Sequence, residues 1–188
     1  PLLGEQLAAM HKVIKPKYGL DFDNTIGSTT QINDWESDWI EFWRKYRLGF
    51  QLELAAKKGY GGSLQHLGEQ VIEQFLILFA NYRPQASLLH GDLWGGNCSS
   101  DHEGNPVIYD PAVYYGDREA DLAMTELFGG FGANFFRAYD GAFPVDQGYQ
   151  VRKILYNLYH ILNHTNMFGG SYAVQAESMM ESLLSELR

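Results

Sequence analysis

His90, Asp92, Asn97 and Asp110 stand in an order and spacing that suits phosphoryl transfer. The stretch His90-Gly91-Asp92-Leu93-Trp94-Gly95-Gly96-Asn97 reads H-x-D-x-x-x-x-N, and thirteen residues after Asn97 an apolar run stops at Asp110. Transfer from ATP needs a carboxylate to orient and deprotonate an attacking hydroxyl, and oxygen ligands for magnesium on the phosphates. Asp92 suits the first task. Asn97 and Asp110 suit the second, because magnesium takes a few protein oxygens and completes its octahedron with waters and substrate phosphates. Either half of the pattern alone is a weak signal. Both together, in this order, point to catalysis rather than to a surface hairpin with polar ends.

Residues 97–100 and 106–110 flank the turn-forming run Asp101-His102-Glu103-Gly104-Asn105. A hairpin closed there is predicted to pair Ser100 with Val107 and to set Asn97 opposite Asp110, about 4.5–5.5 Å apart. Ser87-Leu88-Leu89 reads as a short strand delivering His90 and Asp92, and Gly95-Gly96 lets the loop turn back.

Most of the remaining chain reads as helix. Leu3, Leu7, Met10 and Ile14 repeat at helical spacing up to Pro16, and residues 17–33 read as a long polar loop. Asn33 or Asp34 is predicted to cap a helix with Trp35, Trp39, Phe42, Trp43 and Tyr46 on one side, an aromatic stripe that reads as core packing. Helical spacing continues over 50–58. Ser63 is predicted to cap a helix that turns Leu64, Leu67, Val71, Phe75 and Leu78 inward. An aromatic loop follows Asp110-Pro111-Ala112. Asp117, Glu119 and Asp121 then open an acidic helix start, where favourable interaction with the helix dipole explains Glu119. Residues 147–168 form the clearest helix, stopped by Gly169-Gly170, and a last helix runs from about Ser171 to Leu187.

Composition bounds the function. The 188 residues carry 23 acidic and 14 basic side chains, a net charge of −9, which disfavours nucleic acid and anionic lipid as partners. No apolar run nears the ~20 residues needed to span a membrane. A single cysteine, Cys98, excludes an internal disulfide and fits a cytoplasmic location; it reads as a small strand residue. His160 and His164 have zinc-ligand spacing, yet no Glu follows His160 and no third ligand is evident, so buried hydrogen-bonding roles are expected. No glycine-rich phosphate loop and no lysine in a V-A-I-K context occurs.

The runs LLHGDLWGGN, VIYDPAVYYGDREADLAM, ELFGGF and YHILNHTNMFGGSY, with DNTIGSTTQ and W-x-x-D-W, resemble the fructosamine kinases (ketosamine 3-kinases). The likeness extends over essentially the whole chain. Aminoglycoside phosphotransferases and choline kinases are wider relatives sharing HGD-x-x-x-x-N and the later Asp. The resemblance implies a protein-kinase-like fold of mainly α class, a helical bundle with a catalytic-loop β-hairpin. It implies ATP-dependent phosphorylation of the 3-hydroxyl of ketosamines such as fructosamines or ribulosamines, with Mg2+, leading to deglycation of amines or proteins. By motif, Asp92 is the expected base, Asn97 and Asp110 the magnesium ligands, His90 the residue that fixes the catalytic loop, and Asp121 the anchor beneath it. Trp94, two residues past Asp92, is a candidate sugar-stacking face, with packing as the alternative. Family members carry a β-rich nucleotide-binding lobe upstream that has no counterpart here. Residues 1–188 are therefore expected to be the C-terminal lobe of a two-lobed polypeptide, with little activity in isolation. Open alternatives are a kinase for an aminoglycoside or choline-like substrate, and a non-catalytic, pseudokinase-type binding lobe.

Overall fold

The apolar stripe that opens the chain forms helix α1 (Leu2–His11), which ends before Ile14. Ile14 and Lys15 instead make strand β1 (Ile14–Lys15), antiparallel to Ser87 and Ala86 of β4 (Ala86–Leu89). The residue before a proline is pushed out of helical backbone and β-branched Ile favours a strand, so the helix stops before its period does. This computed structural model describes residues 1–188. Stretch 17–33, expected as a loop, holds the hairpin β2 (Asn24–Ile26) and β3 (Thr29–Gln31). Apart from Ile26 its inward residues are polar: Gln31, and Asn33 just beyond β3, are buried and hydrogen-bonded to Asn24. No apolar alternation therefore announced the strands.

The aromatic helix α2 (Trp39–Trp43) starts later than expected. Its cap is Asp38, whose carboxylate accepts the Glu41 N–H at 2.9 Å, and Trp35 lies outside it. A π-helical turn (Arg44–Gly49) leads into α3 (Phe50–Lys57). Trp39, Phe42, Trp43 and Tyr46 are buried in the core, as their spacing predicts. Arg47 is buried with them, its guanidinium 4.1 Å from the Tyr114 ring centre and hydrogen-bonded to the Ile32 carbonyl. Helix α4 (Ser63–Gln74) follows, with Gly62 rather than Ser63 at the cap, and it buries Leu64 and Val71.

Beyond β4 come the hairpin strands β5 (Cys98–Ser100) and β6 (Pro106–Ile108), then β7 (Tyr114–Gly116). The expected aromatic loop is thus a strand. It pairs Leu88 with Tyr115 and completes the three-stranded order β1-β4-β7. Four helices close the fold: α5 (Glu119–Leu127), α6 (Ala133–Ala142), α7 (Tyr149–Phe168) and α8 (Ser171–Glu186). Helix α6, absent from the sequence reading, packs on α1. Gly4 permits that approach, since a Cβ there would meet the Phe135 carbonyl at 2.4 Å. Leu155, Leu158, Ile161 and Leu162 of α7 fill the centre of the core. No helix is long and apolar enough to cross a membrane.

Glu119 does more than face the α5 dipole. It is buried, and Arg152 of α7 grips it with two bonds, Nε to Oε2 at 2.7 Å and Nη2 to Oε1 at 3.0 Å. The Arg152 guanidinium also lies 3.7 Å from the Tyr82 ring centre. This pair ties α5, which carries Asp121, to the central helix.

Candidate active site

Strand β4 ends at Leu89, and the chain then turns through Gly91, whose φ is +83°. The turn is held from beneath. Asp121 accepts the His90 N–H at 2.7 Å, the Gly91 N–H at 2.8 Å and His11 Nε2 at 3.1 Å. Burial works against the Asp121 charge, but the His11 bond and the backbone donors outweigh it and hold its carboxyl below the usual range. His11 in turn bonds the Tyr139 hydroxyl at 2.8 Å. His11 and Tyr139 were missed in sequence; the available signal was a histidine on the buried Leu7–Ala8 face of α1.

His90 joins the loop to the hairpin. Its Nδ1 accepts the Asp92 N–H at 3.2 Å, and its Nε2 donates to the Tyr109 carbonyl at 3.0 Å. The His90 carbonyl accepts from Ala112 N–H at 2.9 Å. There is no room at the turn: a Cβ on Gly91 would lie 2.0 Å from the Ala112 oxygen. Gly91→Ala is therefore expected to lose at least about 2–3 kcal/mol, from left-handed backbone and overlap together, read by chemical denaturation.

The hairpin forms where predicted, one residue out of the predicted register. Ser99 pairs with Val107 and Ser100 with Pro106, so Asn97 faces Tyr109, whose N–H it accepts at 3.1 Å. The turn sets this. Asp101 accepts the Glu103 and Asn105 N–H groups and donates its own N–H to the Asn105 carbonyl, while Gly104 takes φ +85°. That closes a three-residue loop, the form that favours glycine in left-handed backbone. Asp110 follows one position on, with φ +54°, the one non-glycine residue of the chain at positive φ.

Despite the shift, Asp92, Trp94, Asn97 and Asp110 line one cavity of about 390 Å3. The Asn97 Nδ2 group donates to the Asp92 carbonyl at 2.9 Å, to Asp92 Oδ2 at 3.3 Å and to the Asp110 carbonyl at 3.4 Å. The Asn97 amide oxygen and the Asp110 carboxylate accept nothing within the chain, which leaves them open to a cation. No group of three His, Cys, Asp or Glu converges anywhere, so a cation held here needs oxygens from outside the protein. Burial pushes the Asp92 carboxyl up, helped by Asp110 and opposed by His90, His164 and the Asn97 bond. A raised carboxyl suits proton acceptance near neutral pH.

Trp94 is 38% exposed and lies over Gly96, where a Cβ would meet indole atoms at 2.2–2.6 Å. It also meets Phe128 edge-on, with ring centres 6.1 Å apart. Packing and cavity wall are thus both true of it. Phe128, Met167, Phe168 and Tyr172 complete an apolar wall that the sequence reading did not assemble, with Asn163 and His164 as polar members. His164 Nδ1 donates to the His160 carbonyl at 2.8 Å. Beyond Asp110, Asn24 and Gln31 donate to the Val113 and Ala112 carbonyls, so the β2–β3 hairpin braces the segment leaving Asp110.

The model of the family described as fructosamine kinase matches residues 1–186. The chain belongs to the fructosamine kinase family. A Synechocystis protein named "Probable ketoamine kinase" is 48% identical over 97% of this chain and 61% of its own length. A rice (Oryza sativa subsp. indica) protein-ribulosamine 3-kinase, chloroplastic, is 47% identical over 99% of this chain and 55% of its own length. The solved structure of a Thermobifida fusca protein, described as "putative fructosamine-3-kinase", superposes with a TM-score of 0.90 at 34% identity, covering 97% of this chain and 64% of that one. The chain thus spans about three fifths of the length of these fructosamine kinase relatives.

In this member of the fructosamine kinase family the cavity floor carries a pH liability. Burial, with His164 nearby, lowers His160 from 6.5 to about 3. Folded His160 stays neutral while the unfolded chain takes up a proton below pH 6.5. Its contribution to stability is therefore complete above that pH and drains away as pH falls toward 3. Between pH 7 and 5 the loss from this residue is about 2 kcal/mol. Denaturant titrations of wild type and His160→Gln at both pH values should differ by that amount; parallel behaviour would remove His160 from the acid response.

Proposed function

We propose that this site serves a ketosamine kinase, transferring the γ-phosphoryl group of ATP to the 3-hydroxyl of a fructosamine or ribulosamine. The observation that carries the reading is the convergence of Asp92, Asn97 and Asp110 on one cavity beside the Trp94 indole. Family membership and relatives named ketoamine kinase and protein-ribulosamine 3-kinase support the substrate class.

Asp92 takes the hydroxyl proton as the sugar oxygen attacks the γ-phosphorus. The new O–P bond forms in line with the bond from that phosphorus to the β–γ bridging oxygen, which breaks to release ADP. His90 and Asp121 are positioning residues: they fix the backbone from which Asp92 projects. The Asn97 amide oxygen and the Asp110 carboxylate would hold Mg2+, which when bound neutralises phosphate charge. Trp94 offers a flat face to the CH groups of the sugar. The 3-phosphorylated ketosamine then breaks down, so the step serves deglycation of amines or proteins. In this reading residues 1–188 act as the C-terminal lobe, and the relatives' additional length contributes the β lobe that grips the nucleotide. The acidic chain and its one cysteine suit a cytoplasmic enzyme with no nucleic-acid partner.

The test joins this chain to the unmatched part of the Synechocystis relative and measures ATP turnover with a fructosamine, a ribulosamine, an aminoglycoside and choline. Turnover with ketosamines alone is expected. Turnover only with an aminoglycoside or choline would reassign the substrate, and none with any would make this a binding lobe. In the same assay Trp94→Ala should raise the ketosamine KM by about tenfold with a smaller change in kcat, the mark of lost ground-state binding.

A further inference from the structure

We propose that a second cavity, of about 280 Å3 and sharing no lining residue with the catalytic one, binds a phosphate-type oxyanion. Arg83, Arg118, Gln85 and Ser87 supply its polar wall, with Tyr82, Pro84 and Phe143 around them. No carboxylate lines it, in a chain with nine more acidic than basic side chains.

Two groups there lack partners, and a third has no carboxylate partner. The Ser87 hydroxyl is buried, the residue being 1% exposed, and makes no hydrogen bond. That leaves a donor on the cavity wall that no group of the chain engages. Arg83 is exposed and takes part in no salt bridge or hydrogen bond within the chain. Arg118 is 8% exposed and also lacks a carboxylate partner. Its Nη1 donates to the Tyr139 hydroxyl at 3.0 Å and the Phe143 carbonyl at 2.8 Å, its Nη2 donates to the Pro144 carbonyl, and its plane lies 3.6 Å from the Phe143 ring centre. The guanidinium is therefore held by neutral acceptors, with no carboxylate hydrogen-bonded to it and its Nε–H without a partner. The neighbouring acids are engaged elsewhere: Asp117 accepts from Tyr82 and Tyr156, and Glu119 from Arg152. Two guanidinium groups on one cavity wall with a hydroxyl donor are the chemistry that selects a phosphoryl oxyanion, either the free ion or a phosphomonoester.

The full chain, without nucleotide or magnesium, is titrated calorimetrically with inorganic phosphate and, separately, with glucose 6-phosphate, ionic strength being held constant with chloride. Saturable binding with Kd of about a millimolar or tighter is expected, and the tighter of the two ligands names the source. Arg83→Gln and Ser87→Ala should each weaken it about tenfold, and Ser87→Ala should do so without lowering Tm, because its hydroxyl holds nothing within the chain. Asp92→Asn should leave it unchanged, which separates this cavity from the proposed catalytic one. Heats no larger than those of chloride, or an affinity that follows Asp92→Asn and ignores Arg83→Gln, would overturn the proposal.

Discussion

If the proposed function holds, Asp92→Asn in the enzyme joined to the relative's unmatched part is expected to lower kcat for ketosamine phosphorylation by about 10²–10⁴-fold while the ketosamine KM and Tm stay near wild type. An amide keeps the size of the side chain and can still accept from Asn97 Nδ2, the one side-chain contact Asp92 makes. It cannot take a proton. The buried setting that lifts the Asp92 carboxyl exists only for the acid, so the substitution removes the chemistry and little of the packing. A variant within a few-fold of wild type would remove Asp92 from the role of base. Single-turnover measurement at saturating ATP makes the comparison clean, because product release then drops out.

Asp121→Ala is expected to produce the largest loss of stability, about 3–5 kcal/mol, with Tm falling by roughly 10 °C. The carboxylate is fully enclosed and serves three donors from two distant segments, His11 of α1 and the His90–Gly91 turn. Truncation strands all three inside the protein, where unmet donors are costly. Asp121→Asn is expected to fall between, since one amide oxygen can accept only part of that set. The assay that separates anchoring from mere packing is amide exchange at His90 and Gly91: protection should collapse there before it does in α7. Unchanged protection at that turn would show that the loop is held by something else.

The H-x-D-x-x-x-x-N pattern was readable because its parts are close in sequence and each residue type suits the proposed chemistry. Asp92, Asn97 and Asp110 line one cavity, with His90 bonded to the loop behind them, even though the hairpin register lies one residue from the expected one. The error lay in the turn: a side-chain acceptor at Asp101 and a left-handed Gly104 selected a three-residue loop. Long helices such as α7 were legible for a related reason, since their stripe repeats over many turns and survives any local exception. Strands β1, β2, β3 and β7 were not. They have two or three residues each, and several of their inward side chains are polar, so neither period nor hydrophobicity marks them.

By itself, then, the sequence determined the order of the candidate site residues, the aromatic core of α2 and the long terminal helices, all of which follow from local spacing. Only the tertiary structure decided that His11 and Tyr139 underpin Asp121, that Arg152 grips Glu119, and that Phe128, Phe168 and Tyr172 wall the cavity. Those contacts join segments far apart in the chain. The polar ones depend on each buried charge and hydroxyl finding its partner across the interior, which no single stretch of residues supplies alone.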